Sequence, residues 1–127
     1  MQLVLNKKRY KDIKRKLRKV TARSIMILYN IEESEVNIFE DGILIGNSKY
    51  DINKKNKDMF ISDFDINGPY QGKGYGSLLA RAIIDLAKLY HLKTISLTDG
   101  ASLEGFWQIM GFKNKDRLKR GTVRLCL

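Results

Sequence analysis

Apolar positions along the chain change their spacing twice. Early on, Tyr10, Ile13, Leu17 and Val20 recur every three or four residues, which is one face of a helix over about residues 7–22, preceded by a short apolar run Leu3-Val4-Leu5 that reads as a strand. From Arg23 the rhythm becomes that of strands. Ser24 to Tyr29 and Val36 to Phe39 form two of them, and Asp41-Gly42 between Phe39-Glu40 and Ile43-Leu44-Ile45 makes a two-residue hairpin, since both positions favour positive φ. Ile43 to Ile52 then runs back antiparallel to the polar turn Asn53 to Lys57, and Met59 to Ile66 is the next strand.

Past Ile66 the pattern changes again. A Gly68-Pro69 break and three closely spaced glycines lead into an amphipathic helix with Leu78, Leu79, Ala82, Ile83, Leu86 and Tyr90 on one side. Lys88 and His91 fall near its end, where positive charge suits the negative pole; His91 reads as a surface residue. Thr94 to Thr98 is a strand parallel to the one before the loop, because a helix bridges the two. Ser102 to Met110 is a shorter helix stopped by Gly111, and Phe112-Lys113 with Thr122 to Leu127 closes the chain as a last pair of strands. The expected architecture is α/β of the α+β kind: one domain over 1–127, with a mixed, mostly antiparallel sheet flanked by helices.

Composition fits this picture: 127 residues at 43% hydrophobic can bury a core without metal or disulfides. The single cysteine, Cys126, reads as a buried strand residue, and the lack of a disulfide framework fits a reducing, cytoplasmic setting. The apolar start runs straight into Lys7-Lys8-Arg9, unlike a secretory leader, and no apolar run is long enough to cross a bilayer, so no membrane role is expected. The net charge of +10 is local: residues 1–23 hold ten of the 24 basic residues against one acid, Asp12, a charge of +9. Lys7 to Arg23 is therefore either the solvated face of a docked helix or an electrostatic footprint for nucleic acid.

The candidate chemistry lies in Gln71-Gly72-Lys73-Gly74-Tyr75-Gly76-Ser77. Glycines at every second position between a strand and a helix let the backbone turn tightly, while the amides at the helix start point outward with partial positive charge. Such a loop holds an anion, most naturally a diphosphate, with Lys73 adding a charge and Ser77 a hydroxyl. A dinucleotide fingerprint needs glycine where Ser77 stands, and a Walker loop needs Gly-Lys-Ser/Thr after four residues. The run Lys73-Gly74-Tyr75-Gly76 imitates the start of an RNA-recognition motif, but Ser77 and Ala80 replace its strand aromatics.

What remains resembles motif A of the GNAT N-acetyltransferase superfamily, Gln/Arg-x-x-Gly-x-Gly/Ala, present as Gln71-Gly72-Lys73-Gly74-Tyr75-Gly76. A second block, Leu103-Glu104-Gly105-Phe106-Trp107-Gln108-Ile109-Met110-Gly111-Phe112, is similar to that family's closing helix and Gly-Phe. The resemblance implies a sheet in which two parallel strands splay apart at a site for acetyl-coenzyme A. The main chain of Phe64, Asp65 and Ile66 would hold the pantetheine arm, the amides from Gln71 to Ser77 the diphosphate, and the thioester would sit near Ile66.

The implied reaction is direct transfer of the acetyl group to a primary amine on a small-molecule or protein acceptor. An alkylamine of pKa about 10.4 costs roughly 4 to 5 kcal/mol to deprotonate at pH 7, whereas a thiol of pKa about 8.5 costs only about 2 kcal/mol to leave as its anion. A base therefore matters more than an acid, and Asp63 and Asp65 on the strand before the loop are the candidates, both on the face opposite Ser62, Phe64 and Ile66. Where the family often has an acid tyrosine this chain has Trp107, read as a packing or pantetheine-wall residue, which leaves Ser102, Tyr70 or solvent to supply a proton. The alternative is a GNAT-fold binding module with weakened catalysis whose basic helix contacts nucleic acid. A monomer or a homodimer is expected.

Overall fold

The computed structural model describes residues 2–4, 24–98, 104–113 and 122–127. The described elements are β1 (Gln2–Val4), β2 (Ile25–Asn30), β3 (Glu35–Glu40), β4 (Ile43–Asn53), β5 (Asp58–Ile66), a 3-10 turn (Gly68–Tyr70), α1 (Tyr75–Leu89), β6 (Thr94–Thr98), α2 (Glu104–Ile109) and β7 (Thr122–Cys126). These strands hydrogen-bond in chain order from β1 to β7. The basic helix expected over 7–22, and Ser102, lie outside the described residues. Two compact units divide the chain, Met1–Lys49 with Asp63–Ala82, and Tyr50–Ser62 with Ile83–Leu127; β4, β5 and α1 each contribute residues to both.

In the first unit the meander expected from the sequence is present. Strands β1 to β4 pair antiparallel, with Leu3 opposite Tyr29, Ile27 opposite Ile38, and Ile38 opposite Gly46. Period-two alternation does the sorting: Ile25, Ile27 and Tyr29 are buried while Met26, Leu28 and Asn30 are half-buried. Asp41 at φ 50° and Gly42 at φ 81° both adopt the left-handed backbone that the Asp-Gly hairpin requires. The Tyr29 hydroxyl donates to the Ala82 carbonyl of α1 at 3.1 Å, so a buried phenol is satisfied where helix meets sheet. Between Ile38 and Phe39 the partner on β4 moves from Gly46 to Leu44, leaving Ile45 as the extra residue of a β-bulge.

In the second unit β5 and β6 form the expected parallel pair, from Asp58 opposite Thr94 to Ile61 opposite Leu97. The Asp58 carboxylate ties the start of that pair by accepting from Thr94 Oγ1 at 2.7 Å and Ser96 Oγ at 2.8 Å. The ladder ends at Ile61, although β5 continues to Ile66. Buried positions on β5 also change parity there: Met59 and Ile61 are buried, then Ile66. β7 pairs antiparallel with β6, Leu97 facing Val123.

Three sequence expectations need correcting. The expected pairing of Phe112-Lys113 with β7 is present only as one antiparallel bridge, in which Lys113 and Arg124 exchange main-chain bonds at 2.8 and 2.9 Å, and β7 pairs along its length with β6. Cys126 is exposed, because alternation along β7 buries Val123 and turns the even positions the other way. Tyr90 falls one residue beyond α1 and is 39% exposed rather than part of the helix's buried stripe. That helix closes with a Schellman arrangement: Leu92 N–H donates to Ala87 O, His91 N–H donates to Lys88 O, and His91 takes φ 57°, the position usually given to glycine.

Candidate active site

The glycine loop and the end of β5 both belong to the first unit. Gly72 and Gly74 have φ 76° and 91°, left-handed backbone that ends any helical run before Tyr75, and a Cβ built on either would meet nothing within 4 Å. The spacing of the glycines therefore serves backbone conformation at 72 and 74, with open space beside them. Gly76 lies inside the first turn of α1, half-buried. The helix's first i→i−4 bond runs from Leu78 N–H to Gly74 O at 3.3 Å, so the Gly76 and Ser77 amides precede the helical ladder, as helix geometry demands. Lys73 and Ser77 are exposed, as an anion site needs. The Tyr75 ring is turned into the core, at 2% exposure and edge-on against Tyr70 at 6.0 Å, which leaves only its backbone at the loop.

The joint between β5 and this loop is held from two sides. Asn67, immediately after the strand, donates its main-chain N–H to Ile45 O at 2.8 Å and its side-chain amide to Leu44 O at 3.1 Å. Both acceptors lie at the β4 bulge, where the extra residue brings consecutive carbonyls within reach of one partner. The Gln71 carboxamide turns back from the loop and donates to Ile66 O at 2.8 Å. Main-chain bonds from Tyr70 to Asn67 O and from Gln71 to Gly68 O complete the tight turn that Pro69 opens. One step back along β5, the buried Ser48 hydroxyl donates to Asp63 O at 2.7 Å.

The remaining expected site residues separate into groups. Asp63 and Asp65 are both exposed while Phe64 is half-buried and Ile66 is 8% exposed, in line with alternation from residue 63 on, whereas Ser62, expected on the face of Phe64 and Ile66, is exposed. Trp107 belongs to the second unit and is 1% exposed, with its ring edge-to-face against Phe106 at 4.9 Å and Phe112 at 5.0 Å. That places it as a core residue of its own unit and favours the packing half of its sequence reading. His91 is exposed at the helix end, as expected. Among the described residues no group of three or more His, Cys, Asp or Glu is arranged to hold a metal, and no helix is long and apolar enough to cross a membrane.

Sequence reasoning missed Asn67 and Gly46. A Cβ on Gly46 would stand 2.5 Å from Ile66 Cδ1, 2.9 Å from Ile38 Cγ2 and 3.0 Å from the Asp65 carbonyl oxygen. A lone glycine inside a strand pattern is itself a signal of a bulge or a close backbone approach, so Gly46 was discoverable. Asn67 carried no such signal, because its partners are 22 and 23 residues away in the chain.

A strand that leads into positive-φ glycines and then a helix start is an arrangement whose free amides suit an anion. The model of the acetyltransferase (GNAT) family matches residues 9–112, and the chain belongs to that family. Among solved structures it is similar to Tetrahymena GCN5, with TM-score 0.67 and 13% identity over 72% of this chain and 66% of that one. It is also similar to N-acetylglutamate synthase from Neisseria gonorrhoeae complexed with coenzyme A and N-acetyl-glutamate, with TM-score 0.67 and 15% identity over 100% of this chain and 35% of that one. Ard1 from Thermoplasma volcanium gives TM-score 0.66 and 13% identity, with 100% and 97% of the two chains covered. At such identities the likeness is one of fold. No curated protein matches the sequence.

Proposed function

We propose that this protein is an acetyl-coenzyme A-dependent N-acetyltransferase that moves an acetyl group directly to a primary amine of a small-molecule or protein acceptor. The observation that carries this reading is the pair Gly72 and Gly74, both at positive φ with open space at their Cβ positions, leading into the unladdered amides of a helix start. A diphosphate fits there: backbone donors and a helix's positive pole converge, Lys73 adds charge, and no side chain fills the opening beside either glycine.

When bound, acetyl-coenzyme A supplies an activated acetyl thioester. The chain's own residues then have three tasks. The amides from Gly72 to Ser77 neutralise the diphosphate, the Gln71 N–H being taken by Gly68 O at 3.1 Å, and the main chain of Phe64, Asp65 and Ile66 orients the pantetheine arm. Asp63 or Asp65 takes the proton of the incoming ammonium, directly or through one water, at an exposed carboxylate one or three residues before the strand's end. A dedicated acid is not needed when a thiol of pKa about 8.5 leaves near neutral pH, which accommodates a tryptophan at 107; solvent or Tyr70 suffices. The N-acetyl-glutamate in the synthase complex is a product of the same bond type, which supports an amine as the acceptor class.

Purified protein should bind acetyl-coenzyme A in a calorimeter and hydrolyse it slowly without acceptor. Gly74→Glu, which puts a carboxylate where the diphosphate is expected, should remove both. Undiminished binding by the Gly74→Glu protein would overturn the reading.

A further inference from the structure

We infer that two carboxamides outside the anion-contacting amides, Asn67 and Gln71, form a clamp that sets the position of the glycine loop and so tunes affinity for the diphosphate part of the cofactor. This rests on the proposed cofactor reading and assigns the two side chains a positioning role. Both amide nitrogens are bonded within the protein: Asn67 Nδ2 donates to Leu44 O at 3.1 Å, and Gln71 Nε2 to Ile66 O at 2.8 Å. Gln71, the first residue of the glycine motif, thus commits its side chain to Ile66 O and its main-chain N–H to Gly68 O at 3.1 Å, and leaves the anion to the amides that follow it.

The geometry shows why such a clamp is useful. Between Ile66, the last residue of β5, and Gly72, the first left-handed glycine, only five residues intervene, and they include the conformationally opposed pair Gly68 and Pro69. Main-chain bonds within that turn hold it to itself, from Tyr70 to Asn67 and from Gln71 to Gly68. They do not fix it to the sheet. Asn67 does so by reaching two consecutive carbonyls of the β4 bulge, and Gln71 ties the far end of the turn back to the strand terminus. Loss of one clamp leaves the turn intact but lets it pivot, which misplaces donors that must converge on a diphosphate to within tenths of an ångström.

Asn67 anchors the turn alone, whereas Gln71 also holds Ile66 O at the strand end that orients the pantetheine arm, so the two variants are testable against each other without knowing the acceptor. Asn67→Leu and Gln71→Met keep side-chain size and remove the donors. Dissociation constants for coenzyme A and for pantetheine, which lacks the diphosphate, are measured by calorimetry or displacement on each protein, with thermal midpoints as a folding control. The expected result is about a fivefold weaker coenzyme A affinity in each variant, the scale of one hydrogen bond, with pantetheine affinity unchanged in Asn67→Leu and reduced by less than coenzyme A affinity in Gln71→Met. The ratio of the two constants therefore shrinks. Equal loss for both ligands, or no loss for either, overturns the positioning role. Gly74→Glu run alongside separates the two levels of inference. If it abolishes the preference for coenzyme A while Asn67→Leu and Gln71→Met keep it, only the clamp fails; if wild type shows no preference at all, the diphosphate assignment and the clamp fail together.

Discussion

Gly46 lies so close to Ile66 that a single added methyl would stand 2.5 Å from the Ile66 Cδ1 atom, with the Asp65 carbonyl oxygen 3.0 Å away on the same side. The strand end that is proposed to hold the pantetheine arm is thus seated directly on the bare backbone of β4. Gly46→Ala is expected to destabilise the protein by about 1 to 3 kcal/mol, the usual cost of overpacking, and to displace Asp65 and Ile66. Urea unfolding with parallel calorimetry of coenzyme A binding checks this. An alanine variant with wild-type stability and affinity would show that β4 and β5 do not meet so tightly.

The two exposed aspartates before the loop differ in what they are expected to do for catalysis. One of Asp63→Asn and Asp65→Asn should lower kcat by a hundredfold or more while leaving the dissociation constant for acetyl-coenzyme A unchanged, as loss of a general base does. The other should stay within about threefold. Two near-normal variants would point to a water chain without either carboxylate.

Tyr50 offers a pH-dependent stability test away from the site. Its side chain is 3% exposed, and burial, with a smaller effect from the neighbouring Tyr90 hydroxyl, pushes its phenol well above the ordinary tyrosine range. A pKa raised on folding means that the stability is fully present below the unfolded value of about 10 and is lost as pH rises through the folded value. Stability measured by urea unfolding from pH 8 to 11 should hold to about pH 10 and then decline, with a limiting contribution of about 1.4 kcal/mol per pH unit from this group. Tyr50→Phe should remove that part of the slope, and an unchanged slope would assign the decline elsewhere.

His91 occupies a backbone conformation that suits glycine better. At φ 57° it closes α1 through the bonds from His91 to Lys88 and from Leu92 to Ala87. His91→Gly should raise stability by about 0.5 to 1 kcal/mol, because the left-handed penalty of a Cβ disappears at a position already fixed by those bonds. A rise of a few degrees in thermal midpoint is the readout. A fall would mean that the imidazole contributes more through its surroundings than its backbone costs.

What the sequence alone determined is what local physics encodes. Period-two and period-3.6 patterns placed β2 to β6 and α1 to within a few residues, Asp41-Gly42 named its own hairpin through positive φ, and the glycine spacing marked the turn between β5 and α1. Each of these is a short-range preference, visible without knowing what lies across the sheet. Tertiary structure decided the rest. It seated Ile66 on Gly46, gave Asn67 two carbonyls at a bulge some twenty residues upstream, turned the Gln71 side chain back onto the strand, paired β7 with β6 and reduced its pairing with Lys113 to one bridge, and left Cys126 exposed. Those outcomes depend on register and on close approach between segments far apart in the chain, and a register is chosen by the whole sheet packing its apolar face at once.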